Sequence, residues 1–309
     1  MHNLLRVLLM AQLVAKRQDG TLLFDTNNIT YGLVKSGYMT FIETWRRRQF
    51  KGGNVDPNWG GNWTESTVSQ SVAFSDVIYG FAVVNAKSPI VFLTGSGCLQ
   101  GTKIIGNSMV FLYTNASANT KFYCFDLMQD AFVGRGYLKA RKPDSSMSFN
   151  SLQPPLNIVS AIQAPPPIGT QATQYPIPVG SKPYAGAVFA REQIQTGPNF
   201  QVNIYTARVT MSIRPGIEYA AYLPWSRGCQ IWVYGSNEPY NTFRYGGSEG
   251  CGGIVGGIQF MFGPAGGTPE DHPMVVTGTP MPPSFSQVAT DRLPTALAIE
   301  TSGLPFPFN

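Results

Sequence analysis

Between residues 71 and 128, short runs rich in β-branched and aromatic side chains recur at the roughly 8 to 12 residue spacing of β-sandwiches and barrels. Five strands are predicted there, over 77–84, 90–94, 99–105, 109–114 and 121–127. Gly95-Ser96-Gly97 and Gly106-Asn107 punctuate them. A Gly-Asn pair suits a two-residue hairpin, because glycine takes positive φ without a Cβ clash. An antiparallel meander is the simplest connection. In the last run Tyr123, Phe125 and Leu127 oppose Phe122, Cys124 and Asp126, so both faces are partly apolar and the strand is predicted to be central.

The same period of two appears elsewhere. Residues 38–45 alternate, as do Val209, Met211 and Ile213 with Arg208, Thr210 and Ser212, before a turn at Arg214-Pro215-Gly216. Further strands are expected over 218–223, 230–234 and 254–262, with Gly256 and Gly257 marking a bulge or a close backbone approach in the last. Asp19-Gly20 between apolar runs points to a hairpin, or a short helix and strand, over residues 4–27 rather than a signal peptide, since Arg6 breaks the apolar run.

Helices find little support. With 33 glycines and 24 prolines they would be interrupted constantly, because proline removes a backbone donor and glycine costs about 1 kcal/mol in a helix interior. At 309 residues one hydrophobic core tends to divide. The expected fold is therefore mostly β, with two antiparallel β-sandwich or jelly-roll-like domains and Pro-rich extended arms. An N-terminal β domain spans 1–145, a Pro-rich connecting arm 146–183, a C-terminal β domain 184–276, and an extended Pro-rich arm 277–309. In that last arm Leu304, Phe306 and Phe308 are the candidate assembly residues, apolar groups free to strap onto a neighbour.

Charged residues make up 13% of the chain, about half the usual share, and weakly charged β proteins with open sheet edges tend to associate. Self-association into a homo-oligomer is the expectation. The net charge of +5 comes from only 22 basic residues, too sparse for a nucleic-acid footprint, so no nucleic-acid partner is expected. No run approaches the roughly 18 apolar residues of a membrane-spanning helix.

Chemistry has few places to sit. The cysteines Cys98, Cys124, Cys229 and Cys251 form no CxxC pair and have no histidine nearby, which points to free, buried thiols and not to zinc. The two histidines are His2 and His272; Glu270-Asp271-His272 reads as a polar loop between prolines. The glycine-dense residues 246–253 match neither GxxxxGK[ST] nor GxSxG and read as a flexible loop. Asp126 is the one acid that a strand would bury, and a glycosidase needs two. No catalytic residue, cofactor or metal is predicted. Candidate partner or glycan contacts are Arg46, Arg47 and Arg48, with Trp59 and Trp63 in the loop that follows; the alternative is a solvated strand end with its tryptophans folded inward.

The strand Tyr38-Met39-Thr40-Phe41-Ile42-Glu43-Thr44-Trp45, residues 78–97 and the tail Gly303-Leu304-Pro305-Phe306-Pro307-Phe308 give the chain a style that resembles virion structural proteins of tailed bacteriophages. That resemblance implies a tail, collar, fibre-anchoring or capsid-decorating subunit, working in the virion as a symmetric oligomer beside other virion proteins. It carries no functional residue over. A second reading is a receptor- or carbohydrate-binding module taking a host surface glycan, with Trp59, Trp63, Trp225 and Trp232 as stacking platforms. A third is a secreted hydrolase with a second buried carboxylate near Asp126.

Overall fold

The computed structural model describes residues 14–16, 18–20, 22–25, 30–46, 48–50, 63–65, 67–69, 72–73, 75–130, 138–142, 144–169, 180–197, 200–233, 243–267, 269–271 and 283–309. These residues are all β, with no helix among them. The sheets stack in a β-sandwich-like arrangement.

One layer is a four-stranded antiparallel sheet in the order Cys98–Ile105, Ser108–Thr114, Ser75–Val84, Thr40–Arg46. The facing layer pairs Tyr31–Tyr38 with Lys121–Leu127 and Lys121–Leu127 with Ile90–Thr94, both antiparallel. Between them Val34, Phe81, Val83, Val91, Leu93, Phe111, Phe122 and Cys124 form a buried core. Phe81 stacks on Phe122 with ring centroids 3.6 Å apart, which locks one layer to the other.

The five predicted strands of residues 71–128 are present, and Lys121–Leu127 is central as expected. Gly106-Asn107 makes the two-residue turn, Gly106 at φ +60°. The meander is corrected, because the strands divide between two layers: Ile90–Thr94 and Lys121–Leu127 leave the four-stranded sheet for the facing one. Ile90–Thr94 and Lys121–Leu127 are apolar on both faces and need cover on both, which a sheet with one wet side cannot offer.

Lys103 on one edge strand reaches Glu43 on the other at 2.8 Å, the two long side chains meeting across the strands between them. Register shifts at Leu99/Gly101 and Phe41/Glu43 mark a bulge in each edge strand.

The facing layer continues into a larger sheet, fifteen strands among the described residues. Leu93 pairs with Ala221 of Tyr219–Tyr222, and Thr94 runs parallel to Gly253 of Phe243–Ile254. Beyond these lie Gly257–Pro264, Phe200–Ser212 and Val188–Gly197 on one side, and Thr295–Glu300 and Ser160–Gln163 on the other. A second core gathers Tyr184, Tyr219, Ile231, Tyr245, Phe260, Phe262 and Phe285. A third cluster joins Leu33, Phe92, Tyr123 and Phe125 to Ala220 and Ile299, so hydrophobic contact crosses from the first half of the chain to the second.

The residues expected as Pro-rich arms contribute strands. Ser160–Gln163 lies between prolines at the sheet edge, where a missing donor costs least, and Thr295–Glu300 starts directly after Pro294 and sits inside the sheet. Leu304, Phe306 and Phe308 pack on their own chain, against the cluster of Leu33, Phe92 and Tyr123. Backbone bonds pin the tail there: Ser36 N–H donates to the Phe308 carbonyl at 2.9 Å and Phe308 N–H to that of Ser36 at 3.0 Å.

Two further expectations are corrected. Residues 246–253 are no loop but the interior of the strand Phe243–Ile254. Their glycines permit close crossing, since a Cβ on Gly252 would lie 1.9 Å from the Gly95 carbonyl oxygen and one on Gly253 would lie 1.8 Å from that of Tyr219. The run 254–262 splits at a two-residue turn, Val255-Gly256, with Gly256 at φ +92°. The N-terminal hairpin is present as Val14–Lys16 paired with Leu22–Asp25.

Candidate functional site

Where the sandwich meets the larger sheet, the glycine-rich strand carries one acid inward. Glu249 is buried, and so is Arg227 from the loop before Gly228–Val233. The Arg227 Nε donates to Glu249 Oε2 at 2.8 Å and Nη2 to Oε1 at 2.7 Å, a bidentate pair. The Arg227 backbone N–H adds a bond to Oε2 at 3.2 Å and the Tyr184 hydroxyl one to Oε1 at 2.8 Å. Nη1 donates to the Ala289 carbonyl, and the guanidinium lies 5.6 Å from the Tyr184 ring and 5.7 Å from the Phe262 ring. Burial works against the charge on Arg227, but the bonds and charge of Glu249 outweigh it and hold its pKa above the ordinary value. Burial, reinforced by the charge of Glu249, pushes the Tyr184 hydroxyl well up, so it remains a donor. With every strong partner already in place, this group can fix a fold but has no free position for a proton or a ligand.

Beside it opens an apolar cleft of about 320 Å³ lined by Tyr113, Tyr222, Trp225, Glu249 and Cys251. Arg292 covers the Trp225 ring at 4.9 Å. The four cysteines are free thiols, three of them buried. Burial pushes Cys98 up to about 12 and moves Cys124, Cys229 and Cys251 in the same direction, which removes the thiolate a nucleophile or metal ligand needs. Among the described residues no group of three or more His, Cys, Asp or Glu is placed to hold a metal.

A second cleft, about 460 Å³, lies between the start of Ser75–Val84, the turn after Ser108–Thr114 and the strand Phe200–Ser212. Ile204, Thr206 and Arg208, alternating along one strand, contribute to its lining, as do residues Asp76, Tyr79 and Asn115. Asp76 is buried and accepts a hydrogen bond from the Gly267 N–H at 3.1 Å. The Arg208 Nε is buried and has no hydrogen-bond partner.

The residues singled out in the sequence fall elsewhere. Arg46 ends the edge strand Thr40–Arg46 and is exposed. Arg48 lies in Arg48–Phe50, whose backbone pairs with Trp63–Glu65, placing Phe50 opposite Trp63, and with Pro269–Asp271. Arg47, Trp59 and His272 lie outside the described residues. Glu270 and Asp271 belong to a short strand and not to a loop. Of the other proposed stacking tryptophans, Trp232 is buried with its Nε1 donating to Ser286 Oγ, and Trp225 is half-buried under Arg292. Asp126 is buried as expected, but both its oxygens accept backbone N–H groups, from Lys87, Ser88 and Leu127 at 2.7 to 2.8 Å, so it clamps a turn.

Sequence reasoning missed Arg227, Glu249, Asp76 and the role of Arg208. Only Arg208 had a signal, its place in an alternating strand. No family model, curated protein or solved structure matches the chain.

Proposed function

We propose that this chain is a non-enzymatic structural subunit of a viral particle, of the tail, collar or fibre-associated kind, that assembles as a symmetric homo-oligomer. Assembly is supported chiefly by the outer edge of the four-stranded sheet. The strand Cys98–Ile105 is terminal in that sheet and exposes Leu99, Ile104 and Ile105, the last two at 65% and 56%. An edge strand ending in two exposed isoleucines offers a second chain both backbone groups and apolar surface. Non-enzymatic character is supported by the saturated state of Asp126 and Glu249, two of the three buried carboxylates among the described residues. The particle itself is inferred from the resemblance in style described above.

Light scattering of the purified protein tests the assembly. A defined oligomer is expected, and Ile104→Lys should shift it to single chains without loss of β structure by circular dichroism. A single chain for the unaltered protein at all concentrations overturns the proposal. A receptor- or carbohydrate-binding module remains a second reading, favoured by the polar cleft around Arg208.

A further inference from the structure

We propose that the apolar cleft beside Trp225 binds a small uncharged ring compound, held by burial and by one hydrogen bond to the Tyr113 hydroxyl. The inference does not rest on the assembly proposal.

Strand register puts the wall residues on shared faces. Leu99 pairs with Tyr113 in the four-stranded sheet and Phe111 lies two residues before Tyr113, so these three side chains point to one side. In the facing layer Leu93 pairs with Ala221, and Val91 lies two residues before Leu93. Phe111, Tyr113, Val91 and Leu93 share one buried core, so the two walls look at each other. The cleft of about 320 Å³ opens between them, with Trp225 in its lining. Glycine keeps the space open: a Cβ on Gly97 would lie 2.9 Å from Leu93 Cδ1 and 3.3 Å from Tyr113 Cδ1, wedged between the walls. The volume falls at the lower end of the roughly 300 to 1,000 Å³ of small-molecule sites, which suits a single ring.

Two features set the chemistry. Among the described lining residues Glu249 is the one charged side chain, and its oxygens already accept four donors. A charged ligand would therefore leave water without a counterpart, which is costly. The Tyr113 hydroxyl supplies a polar anchor. Tyr113 is 4% exposed, yet among the described residues its hydroxyl bonds nothing. The sealed polar side-chain atoms that lack a partner are Ser148 Oγ and Arg208 Nε, so the Tyr113 hydroxyl is open to the cleft that its residue lines. Burial pushes this hydroxyl well above its ordinary pKa, and it stays a neutral donor and acceptor.

The walls are also held firmly. Gln100 Nε2 donates to Ser248 Oγ at 2.8 Å, which ties the edge strand to the glycine-rich one, and Arg292 covers the Trp225 ring. Anchored walls reduce the ordering that binding would otherwise require.

Saturation-transfer-difference NMR on the full chain with p-cresol, toluene and p-toluate tests the site. Transfer to p-cresol and toluene is expected, with none to the charged p-toluate. Leu99→Trp, at an exposed edge position, should fill the cleft and abolish transfer while circular dichroism stays unchanged. Tyr113→Phe should weaken p-cresol about fivefold, the worth of one hydrogen bond, and leave toluene as it was. Ile104→Lys, which acts on the proposed oligomer, should leave binding intact and so separates this inference from the assembly reading. No transfer to either neutral ring, transfer that survives Leu99→Trp, or binding of p-toluate as tight as that of p-cresol overturns the inference. Equal weakening of p-cresol and toluene in Tyr113→Phe would overturn it as well, by making Tyr113 a packing residue only.

Discussion

Two regions of this protein each hold an arginine and a buried carboxylate, and they differ in how far their hydrogen bonds are satisfied. At Glu249 the carboxylate takes four donors and Arg227 is spent on it, on a carbonyl and on two aromatic rings. At the second cleft the buried Asp76 accepts the Gly267 N–H, and Arg208 leaves a buried Nε unbonded. The functional groups are of the same kind, a guanidinium and a carboxylate; the unsatisfied Nε is what differs. Chemical potential for a partner lies where hydrogen-bonding capacity is left over, and structural strength lies where none is.

The largest effect should come from breaking the saturated pair. Glu249→Ala leaves a buried guanidinium without its charge partner and is expected to cost about 3 to 5 kcal/mol in chemical denaturation. A loss no greater than that of Arg208→Ala would erase the contrast.

Next comes the alkaline response of the thiols packed around the saturated site. Because burial raises Cys98 from 9.0 to about 12, its contribution is fully present below pH 9 and disappears as the pH climbs toward 12. Unfolding followed by denaturant should show stability falling across that window. Iodoacetamide at pH 8 should leave Cys98, Cys124 and Cys251 unlabelled until the chain unfolds; rapid labelling of Cys98 in the native protein would show that site to be open.

The smallest effect sharpens the contrast from the other side. Arg208→Lys removes a buried donor that has no partner, so thermal unfolding should show no loss of stability and a gain of about 1 kcal/mol. A loss of several kcal/mol would place Arg208 with Arg227 as a structural residue.

Legibility in the sequence follows the range of the interactions concerned. Strands such as Ile90–Thr94 and Lys121–Leu127 were readable because alternation and turn residues act over a few positions. The strand Phe243–Ile254 was not, because its glycines answer to backbones distant in sequence, at Gly95 and Tyr219, and locally resemble a loop. The Pro-rich segments misled for a related reason: four residues between prolines suffice for an edge strand once Thr295–Glu300 is there to pair with. Trp59 and Trp63 drew notice by residue type alone, whereas Glu249, with no motif around it, was invisible.

By itself the sequence determined the class: an all-β chain of short strands, with weak charge and thiols bound for the interior. Those properties are sums over local preference and composition. Only the tertiary structure decided that two strands would leave the first sheet for the second, that the C-terminal tail would lie against Leu33 and Tyr123 of its own chain, and that one arginine would be satisfied and another left with a bond to make. Those outcomes depend on which distant surfaces meet, and no local pattern encodes the geometry of that meeting.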